Sequence, residues 1–214
     1  MANGELTGSV LALIIYFAVY SVVHSWLASA SIKVWAQRVF GPIADRWYRL
    51  GYNIFAIVTL LPMFAMIGLL PNQTLYVVPS PWSWLMVGGQ LLAALAALIS
   101  LLQTGLFHFI GLTQLVSERP DEGVSLNLSG FYAYVRHPLY TFSIMFLWLA
   151  PIVTTTTLTT FILFTLYFYF GSIYEEHRLL NRFGPTYQAY RQQVPRLFPI
   201  PGRRYVPQKE RSIR

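Results

Sequence analysis

Three groups of residues in this sequence have the types and spacing to do chemistry. The stretch SGFYAYVRHPLYTF sets Arg136, His137 and Pro138 in a row at the mouth of an apolar run. About forty residues on, Glu175 and Glu176 close a second apolar run. After Gly184 and Pro185, the residues Tyr187, Tyr190 and Val194 stand at i, i+3 and i+7, one face of a helix. A basic pair at a membrane edge serves as a snorkelling anchor as readily as a site. An acidic pair does nothing for topology there, and ionisable groups at a span's end tend to be paired or functional. Arg136 and Glu175 belong to adjacent runs and the same side, so they can share one site. A helix start beside Arg136 would favour a carboxylate or phosphate. His24 and His108 end two further runs at the same face. Two histidines could ligate haem or a metal, but no carboxylate–histidine spacing accompanies them. Satisfied hydrogen bonding at the interface is their default, and no metal is expected.

The elements that must position these groups are apolar. The chain has 214 residues, 55% hydrophobic and only 11% charged, against roughly 25% charged in soluble domains. Five stretches, residues 6–27, 50–70, 82–106, 134–152 and 158–173, approach or exceed the length of about 20 residues that crosses a hydrocarbon core. Length, not periodicity, makes them helices. The expectation is an all-α polytopic membrane protein with about five transmembrane helices. The first run lacks a basic n-region and is too long for a cleaved signal, so it is expected to remain as a span. The absence of cysteine excludes disulfides, thiolate catalysis and cysteine-ligated metals.

Charge gives the orientation. Lys33, Arg38, Arg46 and Arg49 fall between runs one and two, Arg119 and Arg136 between three and four, and the other basic residues after run five. The N-terminus and the connections 71–81 and 151–157 carry none. With five crossings every Lys and Arg lands on one face, which the positive-inside rule makes cytoplasmic. The N-terminus is then outside and the C-terminus inside, most naturally in a bacterial cytoplasmic membrane. The net charge of +7 reads as a belt beside anionic lipid rather than a nucleic-acid footprint. No nucleic-acid partner is expected.

The stretch SERPDEGVSLNLSG is too polar to span and reads as a loop, with Pro138 in the first turn of the fourth helix. The run TTTT at 154–157 reads as an outer turn. After Glu176 a short helix should run to about Arg182, with Gly184 past its end and Pro185 starting another. That last helix is either an amphipathic segment on the membrane or a lid over a pocket.

SGFYAYVRHPLY followed by EEHRLLNRFGPTYQAYRQQVPRLFP resembles the isoprenylcysteine carboxyl methyltransferase-like family of integral-membrane methyltransferases. That group includes phospholipid N-methyltransferases and bacterial methanethiol S-methyltransferases. The compound pattern is Arg-His-Pro-x-Tyr, the Glu pair, Phe-Gly, two spaced tyrosines and Val-Pro, over roughly residues 114–199. HSWLASASIKVW, RWYRLGYN and FHFIGLTQL look more like the methanethiol S-methyltransferase and nitrite-reductase-accessory branches. The resemblance divides the chain into residues 1–113 with three spans, 114–199 as the methyltransferase-like region with two spans and the pocket, and 200–214 as a basic tail. It implies S-adenosylmethionine as cofactor. Matching positions suggest Gln114, Tyr132, His137, Pro138, Leu139, Tyr140 and Glu175 as cofactor contacts, with Tyr187 and Tyr190 in the closing segment. Arg136 and Glu176 would be the charged pair of the catalytic site, supporting it.

Two positions depart from the family's pattern. Phe142 stands where a glycine is frequent, and a ring there either narrows the cavity or packs between helices. Gly171 stands where the prenylcysteine enzymes carry an arginine associated with their acceptor. A carboxylate acceptor therefore loses its positive partner, and a small or lipophilic acceptor such as a thiol is favoured. Prenylcysteine carboxyl methylation is the alternative enzyme. A noncatalytic accessory subunit with membrane-complex partners is the alternative of another class.

Overall fold

The computed structural model describes residues 2–116 and 125–206. Most of the polar loop before the Arg-His-Pro triplet, and the tail beyond residue 206, lie outside the described residues.

Helix α1 (Ala2–Ala28) is apolar all round, as a membrane span should be. Ser29 then breaks the chain and caps α2 (Ala30–Phe40), its hydroxyl accepting from the Ile32 N–H. Gly41 turns the chain with φ 57°, and Pro42 opens α3 (Pro42–Leu69) at its first position. The connection that follows holds a strand, β1 (Thr74–Val77), before α4 (Trp82–Gln103). Short helices α5 (Leu106–Ile110) and α6 (Thr113–Val116) come next. A 3-10 turn at Gly130–Ala133 leads to α7 (Pro138–Trp148), β2 (Ile152–Thr154) and the long α8 (Thr155–Gln193).

Four of these helices are long and apolar enough to cross a membrane: α1 from Gly4, α3, α4 and α8. The chain is an integral membrane protein. The fourth expected span, 134–152, differs. Only 11 of its residues form helix α7, about 16 Å at 1.5 Å per residue. Pro138 fixes where α7 starts. Beyond Leu149 the chain becomes extended and pairs β2 antiparallel to β1, Val77 opposite Ile152 and Thr74 opposite Thr154. The threonine run is likewise more than a turn. Thr154 ends β2 and caps α8 in a reciprocal box with Thr157.

One core forms where α1, α3 and α8 meet: Leu13, Phe17 and Met63, with Tyr20, Phe164 and Tyr167 packed around them. Helix α4 packs on α7 through a small residue, as membrane helices do. Leu149 lies against Gly89, and Gln90 donates to the Phe146 carbonyl at 2.9 Å. Phe142 packs edge-on to Phe131 at 4.8 Å, so its ring serves packing. A second core lies past the bend of α8, where Gly184 adopts φ 52°, ψ −127° ahead of Pro185. There Tyr187, Tyr190 and Val194 are buried against Leu126, Leu128 and Tyr205. The expected break at Gly184 is present. The segment beyond it folds back onto the chain ahead of α7.

Candidate functional site

The triplet Arg136-His137-Pro138 is fixed by the strip of chain that follows α8. The Arg136 and His137 N–H groups donate to the carbonyls of Pro195 and Arg196 at 2.9 and 3.1 Å. One turn into α7, the Thr141 hydroxyl bonds the carbonyls of Leu197 and His137. Pro138, with no N–H to satisfy, can then start the helix at full burial. Arg136 reinforces the same seam, its Nη1 donating to the carbonyls of Val194 and Arg191.

The two glutamates divide in role. Glu176 is 2% exposed, and its carboxylate is surrounded by cations. Arg136 donates to its Oε1 from Nε at 2.9 Å and Nη2 at 2.6 Å. Arg196 donates to Oε1 at 3.0 Å and Oε2 at 3.2 Å. Arg191 stands 3.7 Å away. Burying this carboxylate alone would be very costly, and the guanidinium bonds make it tenable. Glu175 keeps 44% of its side chain exposed. Its carboxylate faces His137 Nδ1 at 3.3 Å, and Tyr140 also interacts with it.

His137 sits between the two acids, with Nε2 3.4 Å from Glu176 Oε1. Burial pulls its pKa down, but the hydrogen bonds and charges of Glu175 and Glu176 outweigh that and raise it above the ordinary value. The imidazole therefore favours its charged form, with Nδ1 turned to Glu175 and Nε2 to Glu176. The ring stacks on Tyr140 at 5.4 Å and 4°, and Tyr140 stacks on Phe168 of α8 at 5.2 Å. Tyr132 enters from the 3-10 turn. Burial, with Glu175 nearby, pushes its phenol pKa up, so it remains a neutral donor.

The remaining expected contacts are distributed differently. Leu139 is the second residue of α7, half-buried, in a first turn that has no side-chain cap. Tyr187 and Tyr190 are buried in the second core. The Tyr190 hydroxyl donates to the Tyr132 carbonyl at 2.6 Å, while the Tyr187 hydroxyl is buried without a partner. Gln114 is drawn to another cluster. With its amide turned to satisfy both ends, its oxygen accepts from Arg49 Nη1 at 2.9 Å and its nitrogen donates to the Gly111 carbonyl. Arg49 Nη1 also meets His108 Nε2 at 2.8 Å. Among the described residues no group of His, Asp and Glu could hold a metal.

Arg196 was legible only as one more belt charge in VPRLFP. Nothing in its spacing says that it returns to Glu176. Gln103 also borders the site. A Cβ at Gly130, where φ is 60°, would lie 2.2 Å from the Gln103 amide, and Gln103 Oε1 is buried without a partner.

The donor set can be set against S-adenosylmethionine, the cofactor the resemblance implies. That molecule carries an ammonium, a carboxylate, a ribose diol and a flat base. An open carboxylate at Glu175 and the uncapped first turn of α7 offer the polar partners, with the His137 imidazole beside them. The Tyr140 and Phe168 rings offer the flat surface. The residues present fit it.

Comparison with known proteins adds relatives of one kind. A methanethiol S-methyltransferase of a Pseudomonas species is 30% identical, over 89% of this chain and 74% of its own. Methanethiol S-methyltransferase 2 of Bradyrhizobium diazoefficiens is 29% identical, over 91% and 75%. That of Crocosphaera subtropica is 28% identical, over 87% and 73%. No family model and no solved structure matches the chain.

Proposed function

The chain belongs to the methanethiol S-methyltransferase family, and from that premise we propose that it is an S-adenosylmethionine-dependent methyltransferase whose acceptor is a small neutral thiol. The observation that carries the reading is the split in the glutamate pair: Glu176 is consumed by Arg136 and Arg196, while Glu175 is open beside His137.

In this reading S-adenosylmethionine supplies an electrophilic methyl group on a sulfonium. Glu175 holds its ribose hydroxyls or ammonium group. His137 and the first-turn N–H groups of α7, at Leu139 and Tyr140, hold its carboxylate. The Tyr140 and Phe168 rings take the base, and an aromatic face beside the sulfonium favours the cation. Arg136 and Glu176 act through position, locking the triplet to the strip after α8. A dry, aligned pocket is what transfer from a sulfonium needs.

The acceptor follows from what is missing. Gly171 sits one turn before Glu175, and a Cβ there would meet open space. No cation stands at that position to pair with a carboxylate substrate. The activity for which the relatives are named, methylation of methanethiol at sulfur, agrees with a neutral acceptor. We also place the site on the cytoplasmic side, with α7 and β2 together making a fifth crossing.

The test is a calorimetric titration of S-adenosylhomocysteine into detergent-solubilised protein, with Glu175→Ala alongside and dimethyl sulfide formation from methanethiol as the activity readout. Saturable binding is expected. The variant should lose at least about tenfold to a hundredfold in affinity, the worth of one or two charge-assisted bonds. No binding by well-folded wild-type protein overturns the enzymatic reading and makes copurifying partners the next question.

A further inference from the structure

A thiol is a poor nucleophile until it loses its proton, because the thiolate is the attacking species. The histidine beside the cofactor is not free to take that proton, because His137 faces two carboxylates and favours its charged form. A second cluster supplies what is needed. On α1, His24 Nδ1 and Ser21 Oγ are both buried and without hydrogen-bond partners. At i and i+3 they share one face of the helix. His24 is held from its other side, where Nε2 meets the Tyr52 hydroxyl of α3 at 2.5 Å. Rings close the surroundings: Tyr20 stacks on His24 at 5.4 Å, Tyr52 lies at 4.8 Å and Tyr167 of α8 at 6.1 Å.

This cluster adjoins the cofactor site through α8. Tyr167 contacts Phe168 at 6.4 Å, Phe168 stacks on Tyr140, and Tyr140 stacks on His137. Arg178 lies within electrostatic reach of both Tyr52 and Glu175. An apolar-walled pair of unpartnered polar atoms next to a methyl-donor site suits a small acceptor with one ionisable proton.

We propose that His24, positioned by Tyr52, is the general base for the acceptor thiol, which binds among Ser21, His24, Tyr52 and Tyr167. The proposal rests on the thiol methyltransferase reading above. In the productive tautomer the ring proton is on Nε2 and is donated to the Tyr52 oxygen, leaving the Nδ1 lone pair for the thiol. The S–H bond breaks, its proton goes to Nδ1 and its electron pair stays on sulfur. That pair forms the new S–CH3 bond as the methyl–sulfonium bond of the donor breaks and the donor leaves as a neutral thioether. His24 then returns its proton to water. The titratable groups facing His24 are Tyr20 on α1, Tyr52 on α3 and Tyr167 on α8, with Tyr48 and Arg178 within electrostatic reach of Tyr52.

The experiment compares wild type, His24→Gln and Tyr52→Phe on two acceptors, methanethiol and thiophenol, an acidic thiol already largely ionised near neutral pH. S-adenosylhomocysteine affinity is measured on each protein. His24→Gln is expected to keep that affinity and to lose about a hundredfold or more in rate with methanethiol at pH 7, the usual worth of a general base. Its loss with thiophenol should be under tenfold, and its methanethiol rate should climb with pH as the thiol ionises unaided. Tyr52→Phe should show the same pattern more weakly, which covers a His24→Gln protein that fails to fold. Equal losses on both thiols, or wild-type rates with methanethiol, overturn the base assignment. A wild-type protein that neither binds the homocysteine analogue nor methylates either thiol fails the parent reading instead.

Discussion

Two adjacent residues of one type, Glu175 and Glu176, have opposite fates because a helix turns about 100° per residue. Glu176 points into the seam and becomes the counter-ion of Arg136 and Arg196, while Glu175 points toward His137 and open space. Removing the charge at Glu176 would strand two guanidinium groups, one of them only 8% exposed at its side chain. Glu176→Gln should therefore destabilise the fold by roughly 3–5 kcal/mol, the cost of breaking a buried pair from one side, read as a fall in unfolding temperature in detergent. Glu175→Ala should lower that temperature much less, by the loss of its His137 contact alone, while removing cofactor affinity, so the two variants separate clamp from contact. His137 adds a pH dependence of definite sign. Burial opposes its charge, but the Glu175 and Glu176 carboxylates raise its pKa above the ordinary 6.5. A group whose folded pKa lies above its unfolded one stabilises fully below the unfolded value and loses that contribution as pH rises through the folded one. The unfolding temperature should accordingly fall as pH climbs above about 6.5, and His137→Gln should flatten that fall.

At the scale of elements, two helix starts are made by the same three residues. Phe40-Gly41-Pro42 opens α3 and Phe183-Gly184-Pro185 bends α8, with glycine torsions of 57°, −138° and 52°, −127°. A residue before proline is barred from the helical region, and a positive φ with such a ψ is tolerated by glycine alone. Gly184 has no atom within 4 Å of where a Cβ would stand, so Gly184→Ala tests torsion without a clash. It should cost roughly 1–3 kcal/mol and loosen the Tyr187–Tyr190–Val194 patch, measurable by thermal unfolding and by proteolysis of the C-terminal segment. Gly51→Ala in the body of α3, equally uncrowded, should instead gain up to about 1 kcal/mol. The second turn was legible in the sequence because a charged helix ends before it and an amphipathic face follows. The first was hidden in the basic stretch between runs one and two, whose charges gave the orientation and no element. The four long helices were legible by length, whereas α7 was not, since residues 134–152 are apolar throughout and composition does not say where hydrogen bonding stops. Strand β1 escaped because its four residues are all exposed and hold their form only through β2. At the site, the triplet and the Glu pair stood out as charges at the ends of apolar runs. The return of Arg196 to Glu176 and the capture of Gln114 by Arg49 depend on tertiary folding, which no local pattern encodes.

For the whole molecule, the short α7 makes the number of crossings a question about side rather than length. Its two ends are tied to different places. Beyond its C-terminal end, β2 pairs with β1 in the link between α3 and α4, a region without Lys or Arg. Its N-terminal end is bonded to residues 195–197 after α8, among the basic residues. If α4 crosses the bilayer, the β1–β2 pair and the triplet stand on opposite sides, and α7 with its extended continuation must cover that distance. Exposed tryptophans mark both levels, Trp82 and Trp84 near the strand pair and Trp35 and Trp47 near the basic end, as interfacial belts do. The chain has no cysteine, so single introduced thiols report sidedness without background. Asn72, just before β1, and Gln188, past the bend of α8, are both exposed. With five crossings and the basic face inside, a membrane-impermeant maleimide on intact cells should label Asn72→Cys at once and Gln188→Cys only after permeabilisation. With four crossings the two positions share a side and would label together, so equal labelling removes α7 from the count. Gln188→Cys labelling alone would reverse the orientation and place the Glu175 and His137 site outside the cell, away from the cytosolic supply of S-adenosylmethionine on which the proposed reaction depends.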